Sequence, residues 1–229
     1  MEKNNVIHAV CFTADVIDSR KNGKEAVLDE IAVLLNEKHS KTCLTPFTKR
    51  AGDEIFGVAS TFADAYIILK DLFQMSEKKG VPLYVGVGLG TVKEENVKDP
   101  NTVNGSAVWN AADALKLIKE NSSKVKNFRN DASTFRYFVY ADEGDIPHML
   151  VNYMTSLVFE KIEKRTAKQA EVIEIMESFP SLSLEAVGNK VGYQRNASTN
   201  ISKLLHRAEY HVVHGAEVEL INFLAGMKG

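Results

Sequence analysis

The order of strand-like and helix-like segments constrains the fold of this chain most strongly. Up to about residue 143, short apolar and β-branched runs alternate with longer segments whose apolar residues recur every three or four positions. From residue 145 onward only the helical pattern remains. The change in pattern predicts two domains, 1–143 and 144–229, and a length of 229 residues suits that division.

The first domain has the predicted order strand, helix, β-hairpin, helix, strand, helix, strand. Right-handed crossovers assemble this order into one mixed sheet with helices packed largely on one side, which is an α+β domain. Three glycines in the strand 82–91 indicate that another backbone or a ligand comes close to it. The predicted segments are 6–14, 24–37, 44–60 (the hairpin), 61–77, 82–91, 105–121 and 135–140.

Carboxylates stand where two of these strands end. Asp15 follows the first apolar run, and Asp53 and Glu54 lie in the hairpin turn, where Gly52 permits a positive φ. If the two strand ends lie side by side, the like charges approach each other and require a cation. Mg²⁺ or Mn²⁺ fits best, because such ions take one or two carboxylates together with substrate phosphates. The alternative is that these acids are ordinary solubilising turn residues.

Polar and basic residues flank both acidic sites and are candidate phosphate ligands. The first set precedes a predicted helix N-terminus, where free N–H groups and the helix dipole attract phosphate. For Asp18 and Ser19, capping of the turn is an equally good explanation. The second set lies beside the hairpin turn and could instead protect an edge strand. The two sets are Asp18, Ser19, Arg20 and Lys21, and then Lys49 and Arg50.

Composition excludes several classes of protein. Two cysteines without metal-type Cys/His spacing argue against a zinc site and fit a reducing cytoplasm. A net charge of −2 gives no global attraction for nucleic acid, so any such binding requires a local basic face. No run approaches the ~20 apolar residues of a membrane span, and we expect a soluble cytoplasmic protein without a membrane partner.

Trp109 lies on an otherwise apolar face of the predicted helix 105–121 and is expected in the core.

The second domain is predicted to be all-α, with helices over 147–164, 167–178, 183–191 and 198–210. A helix, a short helix, a turn with Gly192 and a further helix form the arrangement of a helix-turn-helix, whose last helix enters the DNA major groove. Such a three-helix unit can also serve as a protein-docking or dimerisation module. The outward positions of the last helix and its approach offer base-edge or phosphate contacts: Arg195, Asn196, Ser198, Thr199, Asn200, Lys203 and Arg207.

Several short motifs resemble known families. The stretches ADVIDSR, AGDE, GVGLGTV with the helix after it, and ISKLLHRAEY are similar to the SatD family of bacterial proteins. The first half is also similar, in order and spacing, to class III nucleotidyl cyclases and GGDEF diguanylate cyclases, which share the palm of template-dependent polymerases. This resemblance implies a ferredoxin-like, cyclase-like palm domain followed by a helix-turn-helix domain.

The resemblance also implies roles for individual residues. In those families the first-strand Asp and the hairpin Asp bind two metal ions that hold a triphosphate while a sugar hydroxyl attacks its α-phosphorus. The same roles would fall here on Asp15 and Asp53, with the Val16 backbone as a further ligand. Asn110 matches the cyclase Asn that orients the ribose. Four positions later cyclases carry Arg, whereas this chain has Ala114, so a cation expected to stabilise phosphoryl transfer is missing.

Three functions follow as hypotheses. The first is a DNA-binding regulator in which a Mg²⁺-dependent nucleotide-binding domain controls the helix-turn-helix. The second is an active nucleotidyl cyclase or oligonucleotide synthetase that acts on nucleoside triphosphates and makes a signalling nucleotide. The third is a non-catalytic interaction protein. A homodimer is expected, because cyclase-like sites often form between subunits and helix-turn-helix proteins often bind paired half-sites.

Overall fold

The structure is a computed structural model that describes residues 5–18, 25–50, 52–125, 134–142 and 146–227. It divides into two compact units. The first comprises Met1–Tyr153 with Leu220–Gly229, and the second comprises Met154–Glu219. The division therefore falls inside a helix, ten residues after the boundary predicted from the loss of strand patterning.

The first unit is built on a five-stranded mixed sheet in the order β2-β3-β1-β4-β5. β1 pairs antiparallel with both β3 and β4, and β5 is parallel to β4. From β1 to β4 the chain follows the β-α-β-β-α-β arrangement, so the predicted mixed α+β architecture is confirmed. The elements are β1 (Val6–Val16), α1 (Glu25–His39), β2 (Cys43–Arg50), β3 (Glu54–Ala59), α2 (Ala63–Lys79), β4 (Leu83–Lys93), α3 (Ser106–Lys119) and β5 (Phe135–Tyr140).

The glycines of β4 form the surface on which α3 packs. A Cβ at Gly88 would lie 2.1 Å from the Ala107 carbonyl oxygen, and one at Gly86 would lie 2.2 Å from the Ala111 carbonyl oxygen. A Cβ at Gly90 would approach the Ser106 hydroxyl to 2.5 Å. The strand thus lacks side chains on this face because a helix backbone occupies their space. Of the two predicted causes of the glycine pattern, close backbone approach is the one observed.

Helices cover both faces of the sheet. Phe135 and Phe138 lie three residues apart on β5 and therefore point to opposite faces. Phe73 of α2 contacts Phe135 edge-on, with ring centroids 5.4 Å apart, whereas Ala114 of α3 packs with Phe138. α1 joins α2 on its face through the buried Asp71. The prediction of helices largely on one side therefore fails for α3.

Asp71 fixes the contact between α1 and α2. Its carboxylate, 6% exposed, accepts hydrogen bonds from Lys38 Nζ at 2.6 Å and pairs with His39 Nε2 at 2.7 Å. Burial alone would raise the pKa of Asp71, but the hydrogen bonds from His39 and Lys38 outweigh it, and the net shift is downward. The carboxylate is therefore held in its charged form between the two helices.

The second unit contains only helices among its described residues. α4 (His148–Glu163) begins in the first unit, and α8 (Tyr210–Gly226) ends there. Between them lie α5 (Ala167–Ser178), α6 (Leu184–Lys190) and α7 (Ala197–Arg207). The shared core of α5, α6 and α7 consists of Val172, Ile173, Val187, Ile201, Leu205 and Ala208.

Local signals explain where these helices begin and end. Thr166 and Gln169 form a capping box before α5, and the Ser183 hydroxyl accepts a hydrogen bond from Ala186 N–H, as expected for an N-cap. The predicted last helix, 198–210, instead ends at Arg207, because Glu209 adopts a positive φ of 50°. The chain then forms α8, which was not predicted.

No helix within the described ranges is long and apolar enough to cross a membrane.

Candidate functional site

A cleft of about 380 Å³ opens on the α3 face of the sheet, beside the hairpin. Its floor is formed by β1, β2 and β3, and its wall by one side of α3. The lining residues are Thr13, Arg50, Glu54, Phe56, Val108, Ala112, Leu115, Lys116, Lys119 and Glu120. Charged groups of both signs thus surround the apolar side chains of Phe56, Val108 and Leu115.

Strand register places the predicted acids at one end of this cleft. Asp15 of β1 lies directly opposite Glu54 of β3, so the two side chains are on the same face of the sheet. Asp53 lies one residue earlier in the turn, and its carbonyl oxygen accepts a hydrogen bond from Val16 N–H at 3.4 Å. The prediction that the end of β1 adjoins the hairpin turn is confirmed. Glu54 rather than Asp53 is the acid facing Asp15 across the pair.

Glu54 is half-buried and lies among charges. Burial raises the pKa of its carboxyl, and the negative charge of Asp15 raises it further. The Thr13 hydroxyl donates a hydrogen bond to the carboxylate, and Arg50 and Lys119 act in the same lowering direction, but the net shift is upward. Burial is thus the main reason that the charged form of Glu54 is disfavoured.

Asp15 has one oxygen engaged and one free. Lys119 of α3 donates a hydrogen bond to Asp15 Oδ2 in an ion pair. Asp15 Oδ1 is buried and has no hydrogen-bond partner in the described part of the chain. A buried carboxylate oxygen without a partner is costly, and a cation or donor would satisfy it. This oxygen fits the inner coordination of Mg²⁺ or Mn²⁺.

Arg50 is held on the cleft floor. Its guanidinium carbon lies 3.4 Å from the centroid of the Phe56 ring, and its Nε is buried without a hydrogen-bond partner among the described residues. Burial lowers the pKa of Arg50, and the nearby Glu54 opposes that shift. Lys49 points elsewhere and pairs with Asp29 of α1 at 2.6 Å. Of the two predicted phosphate ligands at the hairpin, only Arg50 lines the cleft.

Asn110 lies away from the cleft lining. It is 3% exposed, and its Nδ2 donates to the Leu89 carbonyl oxygen of β4 at 2.7 Å. Its side chain thus attaches α3 to the sheet. Ala114, in the position of the cyclase arginine, is fully buried. Trp109, expected in the core, is 60% exposed, which corrects that prediction: it lies on the side of α3 that does not meet the sheet.

The remaining predicted phosphate ligands follow β1. Asp18 is exposed and has a positive φ of 54° in the turn after the strand. Ser19, Arg20 and Lys21 lie outside the described residues. Thr13, Lys116 and Lys119 line the cleft but were not predicted. Lys116 and Lys119 share one face of α3 at i, i+3 spacing, which is the signal in the sequence that could have singled them out.

The predicted DNA-contacting residues lie in and before α7. Arg195, Asn196, Ser198 and Thr199 are exposed, as are Lys203 and Arg207. Asn200 is half-buried, and its Nδ2 donates to the Arg195 carbonyl oxygen at 3.2 Å. The opposite face of α7 is buried through Ala197, Ile201 and Leu205. α7 is therefore strongly amphipathic, with a polar face that carries the predicted residues.

A further cluster lies in the second unit. Ligand atoms of Glu177, His214 and Glu217 all lie within 4.8 Å of one another, in an arrangement that could hold a metal ion. Tyr210 stacks on His214 with ring centroids 5.5 Å apart. Burial, followed by the charges of Glu177 and Glu217, raises the pKa of Tyr210.

Comparison with known proteins adds little to this geometry. No family model matches the chain, and no curated protein matches it. A solved structure described as a bacterial light-regulated adenylyl cyclase is similar at 15% identity and a TM-score of 0.38, over 51% of this chain and 41% of that one. A likeness of this size carries no argument about fold or activity, and the resemblance to the SatD family stays a prediction.

Proposed function

We propose that the first unit binds a nucleoside triphosphate together with Mg²⁺ or Mn²⁺ at the end of β1. The observation that carries this proposal is the buried, unpartnered Asp15 Oδ1 beside the cleft. Asp15 stands opposite Glu54, so a second carboxylate lies beside the unpartnered oxygen. A cation at this position would satisfy the orphaned oxygen and offset the repulsion between the two acids.

Different residues would bind the cation and the phosphates. Asp15 would hold the metal, with Asp53 and the Val16 backbone as further ligands and Glu54 as the facing charge. Arg50 and Lys119 would contact phosphate oxygens, because both are cationic and lie at the same end of the cleft. When bound, the cation would neutralise phosphate charge and orient the chain of phosphates. The apolar side chains of the lining, including Phe56 and Val108, would exclude water from the phosphate contacts.

The geometry favours binding over catalysis. Asn110 is committed to a strand carbonyl, and Ala114 supplies no cation for a transition state. The cyclase Asn is thus matched by a side chain that is engaged elsewhere, and the cyclase Arg has no counterpart, so neither group can act at the cleft. An active nucleotidyl cyclase or synthetase is the second candidate, because Lys119 and Arg50 place two other cations beside the proposed phosphate position.

For the second unit we propose a helix-turn-helix that binds DNA, so that the whole chain would act as a nucleotide-responsive regulator, most simply as a homodimer. The support is the amphipathic α7, which buries an apolar face against α5 and α6 and exposes Lys203 and Arg207, while Arg195 is exposed just before the helix. Gly188 lets α6 approach Ala197 at the start of α7, since an added Cβ there would lie 2.7 Å from the Ala197 Cβ. Residues 191–196 join the two helices and include Gly192, and a glycine is common in the turn of this motif.

Nucleotide binding is tested with fluorescently labelled ATP and GTP in the presence of Mg²⁺. We expect saturable binding by the wild type that chelation of Mg²⁺ weakens and Asp15→Asn abolishes. Asp29→Asn is the matched control, because Asp29 also pairs with a lysine but on α1, away from the cleft. No binding of any nucleoside triphosphate by the wild type would overturn the proposal. Pyrophosphate release in the same samples would favour the enzyme.

A further inference from the structure

The ion pair between Lys119 and Asp15 joins the last turn of α3 to the end of β1. Lys119 is 41% exposed at its side chain and Asp15 is 16% exposed. The backbone of α3 is fixed against the glycines of β4, so the helix holds the root of Lys119 in place while its long stem remains free to turn. The ammonium therefore reaches Asp15 by choice of rotamer and can leave it without moving the helix.

We propose that Lys119 is an internal counter-ion that competes with a divalent cation for Asp15 and is drawn away by the phosphates of the incoming ligand. This inference rests on the proposed nucleotide site and describes its regulation. Without a ligand, the ammonium neutralises the carboxylate that would bind the metal. A triphosphate offers the ammonium a new anionic partner and leaves Asp15 free for the cation.

The charges around Asp15 explain why Lys119 can exchange the carboxylate for a phosphate. Asp15 and Glu54 face each other with Arg50 and Lys119 as neighbouring cations, so removal of the Lys119 ammonium leaves two carboxylates against one guanidinium. A divalent cation at Asp15 Oδ1 without phosphate is repelled by the Lys119 ammonium on Oδ2, and moving that ammonium into solvent loses the stabilisation of the ion pair. A divalent cation bound with a triphosphate displaces it onto phosphate oxygens, where the charge is again paired. Metal and polyphosphate therefore bind with positive cooperativity, which is reciprocal by linkage.

Lys119→Met separates this mechanism from a merely structural ion pair. Methionine keeps the apolar stem but removes the charge, so the metal no longer has a competitor and the phosphates no longer have this cation. We expect the variant to bind Mn²⁺ alone roughly fivefold more tightly than the wild type and to bind tripolyphosphate roughly tenfold more weakly. Opposite changes in two affinities are not expected from a local loss of packing.

Calorimetric titrations of the full chain with Mn²⁺ alone, tripolyphosphate alone and tripolyphosphate in saturating Mn²⁺ measure both effects. Lys79→Met is the control, because Lys79 pairs with Glu30 at 2.7 Å between α1 and α2 and lies on the opposite face of the sheet. The control should match the wild type in all three titrations. Thermal melting of each variant verifies that the first unit is folded.

The outcomes distinguish the inference from the proposal on which it rests. An unchanged or weaker Mn²⁺ affinity in Lys119→Met overturns the counter-ion inference, even if nucleotide binding is observed in the wild type. A tighter Mn²⁺ affinity that Asp15→Asn removes supports it, even if no nucleoside triphosphate binds. Equal tripolyphosphate affinity in wild type and variant would refute the transfer of Lys119 to phosphate.

Discussion

The packing of α3 on the glycine face of β4 gives the sharpest test of the fold beneath the cleft. Gly88→Ala adds one methyl group, whose carbon would lie 2.1 Å from the Ala107 carbonyl oxygen and 2.3 Å from the Ala111 backbone N. Ordinary contacts are longer by more than 1 Å, and both neighbours are backbone atoms that cannot rotate away. The helix must therefore move from the sheet or the strand must bend.

We expect Gly88→Ala to lower the free energy of unfolding by about 3 kcal/mol, at the upper end of the usual cost of overpacking. With a urea m-value of about 2 kcal/mol/M, the midpoint should fall by roughly 1.5 M in urea titrations followed by far-UV circular dichroism. Gly215→Ala is the control, because an added Cβ there meets nothing within 4 Å in α8 and should stabilise the helix by roughly 0.5 to 1 kcal/mol. An unchanged midpoint for Gly88→Ala would refute the close approach of α3.

Four further substitutions test other parts of the structure. Asp71→Asn should cost roughly 3 kcal/mol in urea titrations, because it breaks the buried pair with His39; a loss below 1 kcal/mol would contradict that role. The raised pKa of Glu54 means that folding favours its protonated form, so stability is lost as pH rises through that pKa. Glu54→Gln should therefore match the wild type near pH 4 and melt at a higher temperature at pH 7; a lower one at pH 7 would count against this. Lys203→Ala and Arg207→Ala should each reduce the salt dependence of DNA affinity by about one unit of slope, whereas unaltered slopes in anisotropy titrations would speak against contact of α7 with phosphates.

Periodicity and turn chemistry predicted most of the first unit. The alternation of β-branched residues around Gly52 marked the hairpin, and the three glycines of β4 marked a close backbone approach. The packing of α3 on the opposite face from α1 and α2 could not be predicted from periodicity or turn chemistry. It depends on which face of β4 carries the glycines relative to β1, and that relation is set by strand order rather than by local pattern.

Several residues of the site were predicted, but the contacts among them were not. Asp15 and the hairpin acids were singled out because they follow apolar runs, but the register that opposes Asp15 to Glu54 depends on the geometry of the turn. Lys119 meets Asp15 across 104 residues of sequence, a contact that no local signal encodes. α8 was missed because its apolar residues continue from α7 without a Gly or Pro, and only the positive φ of Glu209 separates the two helices.

A crystal structure with a non-hydrolysable nucleoside triphosphate analogue and Mn²⁺ tests the central claim most directly. We predict an anomalous Mn²⁺ peak within about 2.3 Å of Asp15 Oδ1, with the triphosphate in the cleft beside Arg50 and Lys119 turned from Asp15 to a phosphate oxygen. Mn²⁺ bound elsewhere, with Lys119 still on Asp15 and the cleft without nucleotide, would contradict it.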